Sequence, residues 1–172
     1  MSIIVMGVSG AGKSTIAAAL ADRIGGLFLD ADDLHPEANV VKMASGTPLD
    51  DDDRMPWLAA VGAAMADAIS RGEVPVVACS ALRRRYRDAI RASSPDAFFV
   101  QLDGTPELLT RRMTGRADHF MPPALLASQL ATLEPLGDDE NGAIVDVAPP
   151  PVEIVVTAVA AWRAGIHTPA KD

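Results

Sequence analysis

A glycine-rich segment near the start of the chain has the residue types and the spacing that bind phosphate. Gly7 is followed, after four residues, by Gly12, Lys13 and Ser14, which is the phosphate-binding loop pattern. Glycines let successive backbone N–H groups turn toward an anion, and a following helix adds the positive end of its dipole. The lysine would reach the β- and γ-phosphates of a nucleotide, and the serine hydroxyl would ligate Mg²⁺. The pattern therefore predicts nucleotide binding, rather than a glycine turn that binds nothing, by Gly7, Val8, Ser9, Gly10, Ala11, Gly12, Lys13, Ser14 and Thr15.

Two carboxylates, Asp30 and Asp32, follow the short apolar run at residues 27–29. If the chain stays extended there, side chains two residues apart point to the same side. Phosphoryl transfer needs one carboxylate near Mg²⁺ and another that positions or deprotonates the acceptor hydroxyl. We therefore expect Asp30 to join Ser14 at the metal and Asp32 to face the acceptor. The alternative role is capping of the next helix, for which Asp33 is well placed.

Several arginines stand where a bound anion would explain them. Arg54 and Arg83 lie at predicted helix starts, where a positive charge opposes the helix dipole. An anion held there would resolve the conflict. For Arg54, the alternative is an ion pair with the acidic run at residues 50–53. Arg87 belongs to the same basic helix as Arg83, part of which is expected to be a solvated face.

A third group of candidates precedes or occupies a stretch of weak periodicity at about residues 115–123. Arg112, Arg116 and His119 belong to it. An arginine-bearing loop can cover ATP and offset the charge of the transition state, so we expect a mobile lid here. The alternative is a solvated loop whose arginines pair with surface acids.

The elements that must position these residues are five apolar runs that alternate with helical patterns. The runs are residues 3–6, 27–29, 75–79, 98–102 and 143–147. This alternation predicts an α/β fold with a five-stranded parallel sheet covered on both faces. The polar candidates follow the ends of the runs, where ligands bind in such sheets. With no internal repeat and no dividing linker, a single domain over residues 1–172 is expected.

Composition narrows the function classes. The 172 residues are 49% hydrophobic and 22% charged, with a net charge of −8, which argues against sequence-independent binding to nucleic acid or to an anionic membrane. Cys79 is the only cysteine, so an internal disulfide is impossible and a reducing compartment is the natural inference. No apolar run approaches the roughly 20 residues of a membrane span. We expect a cytoplasmic protein.

Further sequence blocks accompany the loop. They are FLDADDLHP at 28–36, LDDDDR at 49–54, PWL at 56–58, CSAL at 79–82, and GR at 115–116 with HFM at 119–121. Together with the loop they resemble the thermoresistant gluconokinases, from the first strand to about Pro135. The chain departs from the family pattern at Arg83, where the family has lysine.

The resemblance implies ATP- and Mg²⁺-dependent phosphorylation of D-gluconate at its 6-hydroxyl. It also implies a three-layer, nucleoside-kinase-like P-loop fold and a homodimer. Gluconate carries one carboxylate, which suits arginine, and hydroxyls that aspartate and histidine can bind. The roles that follow are catalysis by Lys13, Asp32 and Arg116; nucleotide binding by the loop and Arg112; metal binding by Ser14 and Asp30; and substrate binding by Asp32, His35, Arg54, Arg83, Arg87 and His119.

Two rival functions stay open on the residues alone. The first is a kinase of the same fold with another acceptor, such as shikimate or a nucleoside monophosphate. The second, from a different class, is a nucleotide-switched binding protein. Such a protein would be expected to carry a guanine-reading Asn-Lys-x-Asp block, which the sequence lacks.

Overall fold

The computed structural model describes residues 1–45, 47–114 and 123–166, which form five strands and seven α-helices. The strands are β1 (Ser2–Met6), β2 (Leu27–Asp30), β3 (Pro75–Ala78), β4 (Ala97–Asp103) and β5 (Gly142–Asp146). The helices are α1 (Lys13–Ile24), α2 (Glu37–Ala44), α3 (Asp51–Ser70), α4 (Arg84–Ser93), α5 (Pro106–Thr114), α6 (Pro123–Thr132) and α7 (Pro151–Ile166). A short 3₁₀ turn, Ala31–Leu34, follows β2. Each predicted strand is present to within one residue at either end.

The five strands form one parallel sheet in the order β2-β3-β1-β4-β5. In the central strand, Ile4 aligns with Val77 of β3 and with Phe99 of β4. The chain leaves β1 toward one side of the sheet and leaves β4 toward the other. The carboxyl ends of these two neighbouring strands therefore form a topological switch point, the usual ligand site in such sheets. The loop after β1, the end of β2 and the turn after β3 all lie along this edge.

The residues of β1 alternate between two apolar layers. Ile3 and Val5 pack into a cluster with α1 and α7, whereas Ile4 and Met6 pack on the other face with α3 and α4. All four side chains are completely buried. This period of two, with helices on both faces, confirms the predicted three-layer α/β fold. In the described ranges, no helix combines the length and the apolar character that crossing a bilayer requires.

Candidate active site

The loop between β1 and α1 forms a backbone cradle that requires glycine. Gly7, Gly10 and Gly12 have φ angles of 143°, 82° and 91°, which other residues rarely adopt. A Cβ atom on Gly7 would lie 2.8 Å from the carbonyl oxygen of Leu102, and one on Gly10 would lie 2.8 Å from that of Leu109. The glycines therefore allow both the turn and its close packing on neighbouring elements.

Helix α1 begins directly at this cradle without a side-chain cap. Gly12 is its N-cap, and the first turn contains no acidic residue. The first intrahelical bond runs from the Ile16 N–H to the Gly12 carbonyl, so the positive end of the helix opens onto the loop. The ammonium group of Lys13 donates to the carbonyl of Val8 at 3.3 Å, which places its charge over the loop. This arrangement can bind a phosphate group by backbone N–H groups and one lysine.

A residue that sequence reasoning gave no role, Gln129 of α6, reaches the same loop. Its Oε1 atom accepts a 2.6 Å hydrogen bond from the backbone N–H of Ser9. The two residues are 120 positions apart, so no local pattern could have revealed the contact. Gln129 thereby connects α6 to the phosphate loop.

Asp30, at the end of β2, lies beside the first turn of α1. The Ser14 hydroxyl donates to its Oδ2 atom at 2.9 Å, and the Asp32 N–H donates to its Oδ1 atom at 3.1 Å. Asp30 therefore caps the 3₁₀ turn, whereas helix α2, for whose capping Asp33 looked well placed, follows Pro36 with no side-chain cap. A hydroxyl and a carboxylate are the hard oxygen donors that Mg²⁺ prefers.

The donor set also fits the way Mg²⁺ is usually bound. Within the described parts of the chain, no three His, Cys, Asp or Glu residues form a cluster that could hold a metal alone. Mg²⁺ typically takes one or two protein ligands, several waters and the oxygens of substrate phosphates. Ser14 and Asp30, next to a phosphate cradle, match that pattern.

Asp32 and His35 lie in and directly after the 3₁₀ turn that follows β2. The Asp32 side chain is 81% exposed, and its Oδ1 atom lies 3.9 Å from Nε2 of His35. The His35 ring is stacked on Trp57, with 4.2 Å between ring centroids and an interplanar angle of 14°. Burial lowers the pKa of His35 below its ordinary value; Asp32 opposes this shift and Arg54 reinforces it. The lowered pKa favours the neutral form of the imidazole.

Three guanidinium groups surround the ring of Tyr86. Those of Arg54, Arg83 and Arg85 lie 5.8, 5.9 and 5.4 Å from the ring centroid. Asp51 is the carboxylate in contact with this cluster: it accepts from the Tyr86 hydroxyl, forms an ion pair with Arg85, and lies 3.5 Å from Arg83. Among the described residues, these three positive charges thus share one negative charge, and the cluster can accommodate a further anion.

The remaining acidic residues before α3 belong to its N-terminus. Asp50 and Asp53 form a reciprocal capping box, and Lys42 forms ion pairs with both. The expected alternative, in which Arg54 pairs with these carboxylates, does not occur; its Nε instead donates to the carbonyl of Leu49 at 3.3 Å. Arg54 keeps its charge available at the start of α3. Sequence reasoning gave Asp51, Arg85 and Tyr86 no role at the site, although Tyr86 is the only tyrosine of the chain.

Beside the phosphate loop lies an open cleft of about 270 Å³ between α1 and α7. Its walls include Gly10, Ala11, Gly12, Thr15, Ile16, Arg112, Pro151 and Ile154. Arg112 donates a 2.6 Å hydrogen bond from Nη2 to the carbonyl of Val147, which fixes its side chain in the wall. The walls of the cleft combine polar and apolar groups, and the cleft continues from the phosphate cradle. A nucleoside attached to phosphates in the cradle requires a site in this position.

The structure corrects the expectation for Arg87. Its side chain is completely buried, and it pairs with Glu140, whose side chain is 1% exposed, at 2.6 Å. The same guanidinium donates to the carbonyls of Glu134 and Pro135. Arg87 therefore anchors the segment between α6 and β5 to α4 and does not face a substrate.

Arg116 and His119 lie outside the described residues. The predicted lid at about 115–123 also lies outside them, except for Pro123, which is the first residue of α6. Their roles stay predictions.

Comparison with known proteins gives a consistent result. Residues 3–136 match the family model described as AAA domain. The chain is 49% identical to the gluconokinase of Gluconobacter oxydans over 138 residues (80% of this chain, 78% of that protein). It is 41% identical to the thermoresistant gluconokinase of Escherichia coli K12 over 155 residues (90% and 89%). The crystal structure of a gluconokinase from Sinorhizobium meliloti superposes with a TM-score of 0.86 and 48% identity, covering 95% of this chain and 91% of that one.

Proposed function

The chain belongs to the gluconokinase family, and from that membership we propose how its residues divide the phosphorylation of gluconate between them. The protein is an ATP-dependent kinase that transfers the γ-phosphoryl group of ATP to the 6-hydroxyl of D-gluconate. The roles of the residues are assigned from their positions along the carboxyl edge of the sheet. There, a phosphate cradle, an exposed carboxylate and a cluster with surplus positive charge lie side by side.

The nucleotide occupies the side of the edge formed by the loop. The backbone of residues 7–15 binds the β- and γ-phosphates, with Lys13 supplying a positive charge over the loop. The nucleoside lies in the adjoining cleft between Arg112 and α7. Because this cleft continues from the loop, one extended ligand can fill both.

Ser14 and Asp30 would hold Mg²⁺, which would supply positive charge to neutralise the phosphate oxygens. The hydrogen bond between the two side chains positions both oxygen ligands before the metal binds. Asp30 would contact the metal directly or through a water molecule. Asp30 also keeps the 3₁₀ turn closed, which sets the position of Asp32.

The acceptor occupies the other side. Arg54 and Arg83 bind the carboxylate of gluconate, because the cluster around Tyr86 carries more positive than negative charge. Asp32 receives the proton of the 6-hydroxyl, and His35 binds another hydroxyl of gluconate. Because the transition state is loose, the protein takes little part in bond formation. Its main task is to align the acceptor with the γ-phosphate.

The family resemblance supports further parts of the proposal. Arg116, from a mobile lid at about 115–123, offsets charge on the transferred group, and His119 contacts the acceptor. The enzyme acts as a single-domain protein and a homodimer in the cytoplasm. A net charge of −8 supports the absence of nucleic-acid and membrane partners.

The test is a coupled assay of ADP release with a panel of acceptors. The panel contains D-gluconate, related sugar acids, shikimate and nucleoside monophosphates. D-gluconate should give the highest kcat/KM, and Lys13→Ala should abolish the activity while its circular-dichroism spectrum stays unchanged. Preference for shikimate or a nucleotide, or slow ATP hydrolysis that no acceptor stimulates, would contradict the proposal.

A further inference from the structure

The ring of His35 is held by a stacking contact on one face and by a polar neighbour at its edge. Its side chain is only 5% exposed and stacks on Trp57. Trp57 is itself fixed, because its indole N–H donates a buried 2.7 Å hydrogen bond to the carbonyl of Ala31. The two nitrogens of the ring therefore point in defined directions: Nε2 toward Asp32, and Nδ1 toward Asn39 of α2.

The side chain of Asn39 has one orientation that satisfies its neighbours. Asn39 is 4% exposed, and its Nδ2 atom lies 2.9 Å from the carbonyl oxygen of Asp53. A carbonyl can only accept, so the atom that faces it must be the NH₂ group. The same NH₂ group lies 3.4 Å from Nδ1 of His35. Its second hydrogen therefore needs an acceptor at Nδ1.

These contacts determine which nitrogen of His35 carries the proton. A neutral imidazole has one N–H donor and one acceptor nitrogen, and the partner of one nitrogen selects the state of the other. With an NH₂ donor facing it, Nδ1 must present its lone pair. We propose that Asn39 is a positioning residue that fixes His35 in the Nε2–H tautomer, so that the acceptor substrate meets a hydrogen-bond donor there.

The chemical consequence concerns the acceptor hydroxyls and rests on the proposed function. The carboxylate of Asp32 can only accept, while Nε2–H of His35, 3.9 Å away, can only donate. A donor on the reacting oxygen would withdraw electron density from the nucleophile. The Nε2–H group therefore suits the oxygen of a neighbouring hydroxyl, while Asp32 receives the proton of the reacting one. The pair distinguishes two adjacent hydroxyls of a polyol.

The direct test is nuclear magnetic resonance of the full-length protein with ¹⁵N-labelled histidine. Long-range ¹H–¹⁵N correlations distinguish the two tautomers, and His35→Gln identifies the His35 signals among the three histidines of the chain. The wild-type protein at pH 7.5 should show His35 neutral and protonated at Nε2. Protonation at Nδ1, or an even mixture, overturns the proposal. This spectrum needs no substrate and no Asn39 variant, so it decides the tautomer even if gluconate proves to be the wrong acceptor.

A second measurement uses Asn39→Asp, which keeps the shape but places a carboxylate opposite Nδ1. At pH 7.5 the proton should move to Nδ1, which removes the Nε2–H donor, and the KM for gluconate should therefore rise about 3- to 10-fold with the KM for ATP unchanged. Val41→Ala, an exposed change on the same helix, is the matched control. An unchanged spectrum in a folded Asn39→Asp protein would overturn the proposal.

The double variant His35→Gln/Asn39→Asp separates tautomer control from packing. The amide of glutamine can present an N–H donor close to the position of Nε2 and has no tautomer to lose. Compared with His35→Gln alone, the added Asn39→Asp change should therefore raise the KM for gluconate by less than it does in the wild-type background. An equal rise in both backgrounds would show that Asn39 acts through packing, and the proposal would be wrong.

Discussion

The hydroxyl of Ser14 donates a 2.9 Å hydrogen bond to Oδ2 of Asp30, which joins the first turn of α1 to the end of β2. The same carboxylate accepts from the N–H of Asp32 through its other oxygen. One side chain therefore orders the proposed metal ligands and the turn that carries the proposed base. This relationship makes the metal side and the acceptor side of the site interdependent.

The first prediction concerns Asp30→Asn. The asparagine can still accept from the Asp32 N–H, but it lacks the negative charge that Mg²⁺ prefers. The Mg²⁺ concentration for half-maximal activity should rise about 10- to 100-fold. A magnesium titration at saturating ATP and gluconate measures it. Asp33→Asn, a neighbouring exposed carboxylate, is the control, and an unchanged titration curve for Asp30→Asn would remove Asp30 from the metal site.

The second prediction concerns the cations around Tyr86. Arg54→Ala or Arg83→Ala should raise the KM for gluconate at least tenfold, because a charged hydrogen bond contributes about 1.5–3 kcal/mol. The KM for ATP should change little. Arg71→Ala is the matched control, since Arg71 lies just past the opposite end of α3 and pairs with Asp67 and Glu73. If the KM for ATP rises instead, the cluster serves the nucleotide or the scaffold.

The sequence predicted those features whose signals are local. Strand periodicity and glycine spacing depend on neighbouring residues, which is why the sheet, the phosphate loop and the start of α1 were predicted correctly. Arg87 shows the limit. Its position in a basic helix looks like a surface position, and only Glu140, 53 residues further on, makes it a core residue.

Other parts of the site depend on contacts that no local pattern encodes. Asp51 and Tyr86 are 35 residues apart, and Ser9 and Gln129 are 120 apart. The sequence also did not predict the 3₁₀ turn after β2, which Asp30 caps, and helix α2 begins after Pro36 without a side-chain cap from Asp33. The assignments of Arg116 and His119 stay predictions, because they lie outside the described residues.

The third prediction concerns the buried pair of Arg87 and Glu140. Burial alone raises the pKa of Glu140, but hydrogen bonds from Arg87, the Gly137 N–H and Arg91 outweigh it and hold the pKa at about 2, below its ordinary 4.5. The folded state therefore binds this proton less readily than the unfolded state. The stabilisation is complete above about pH 4.5 and is lost as the pH falls toward 2.

Urea unfolding of Glu140→Gln tests this dependence. At pH 7 the variant should lose about 3–5 kcal/mol of unfolding free energy, because Arg87 keeps a buried charge without its partner. The difference from wild type should shrink as the pH falls below 4.5. Asp139→Asn, which removes the exposed partner of Arg84, should have little effect. A difference that stays constant from pH 7 to pH 3 would show that the charge of Glu140 does not stabilise the fold.

The last prediction concerns Asp32, the proposed acceptor of the 6-hydroxyl proton. Its side chain is 81% exposed, and among the described residues no hydrogen bond holds its carboxylate; Oδ1 lies 3.9 Å from Nε2 of His35. Asp32→Asn keeps the size of the side chain but removes the base and its charge.

General-base assistance contributes about 10²–10⁴-fold, so kcat for Asp32→Asn should fall on that order. The lower end is expected, because a loose transition state requires little early deprotonation of the acceptor. ATP binding should survive, since the loop, Lys13 and Ser14 are unchanged. Steady-state kinetics for kcat and calorimetry for nucleotide affinity measure the two effects separately. A kcat within about threefold of wild type, far short of that range, would reduce Asp32 to a residue that positions the acceptor.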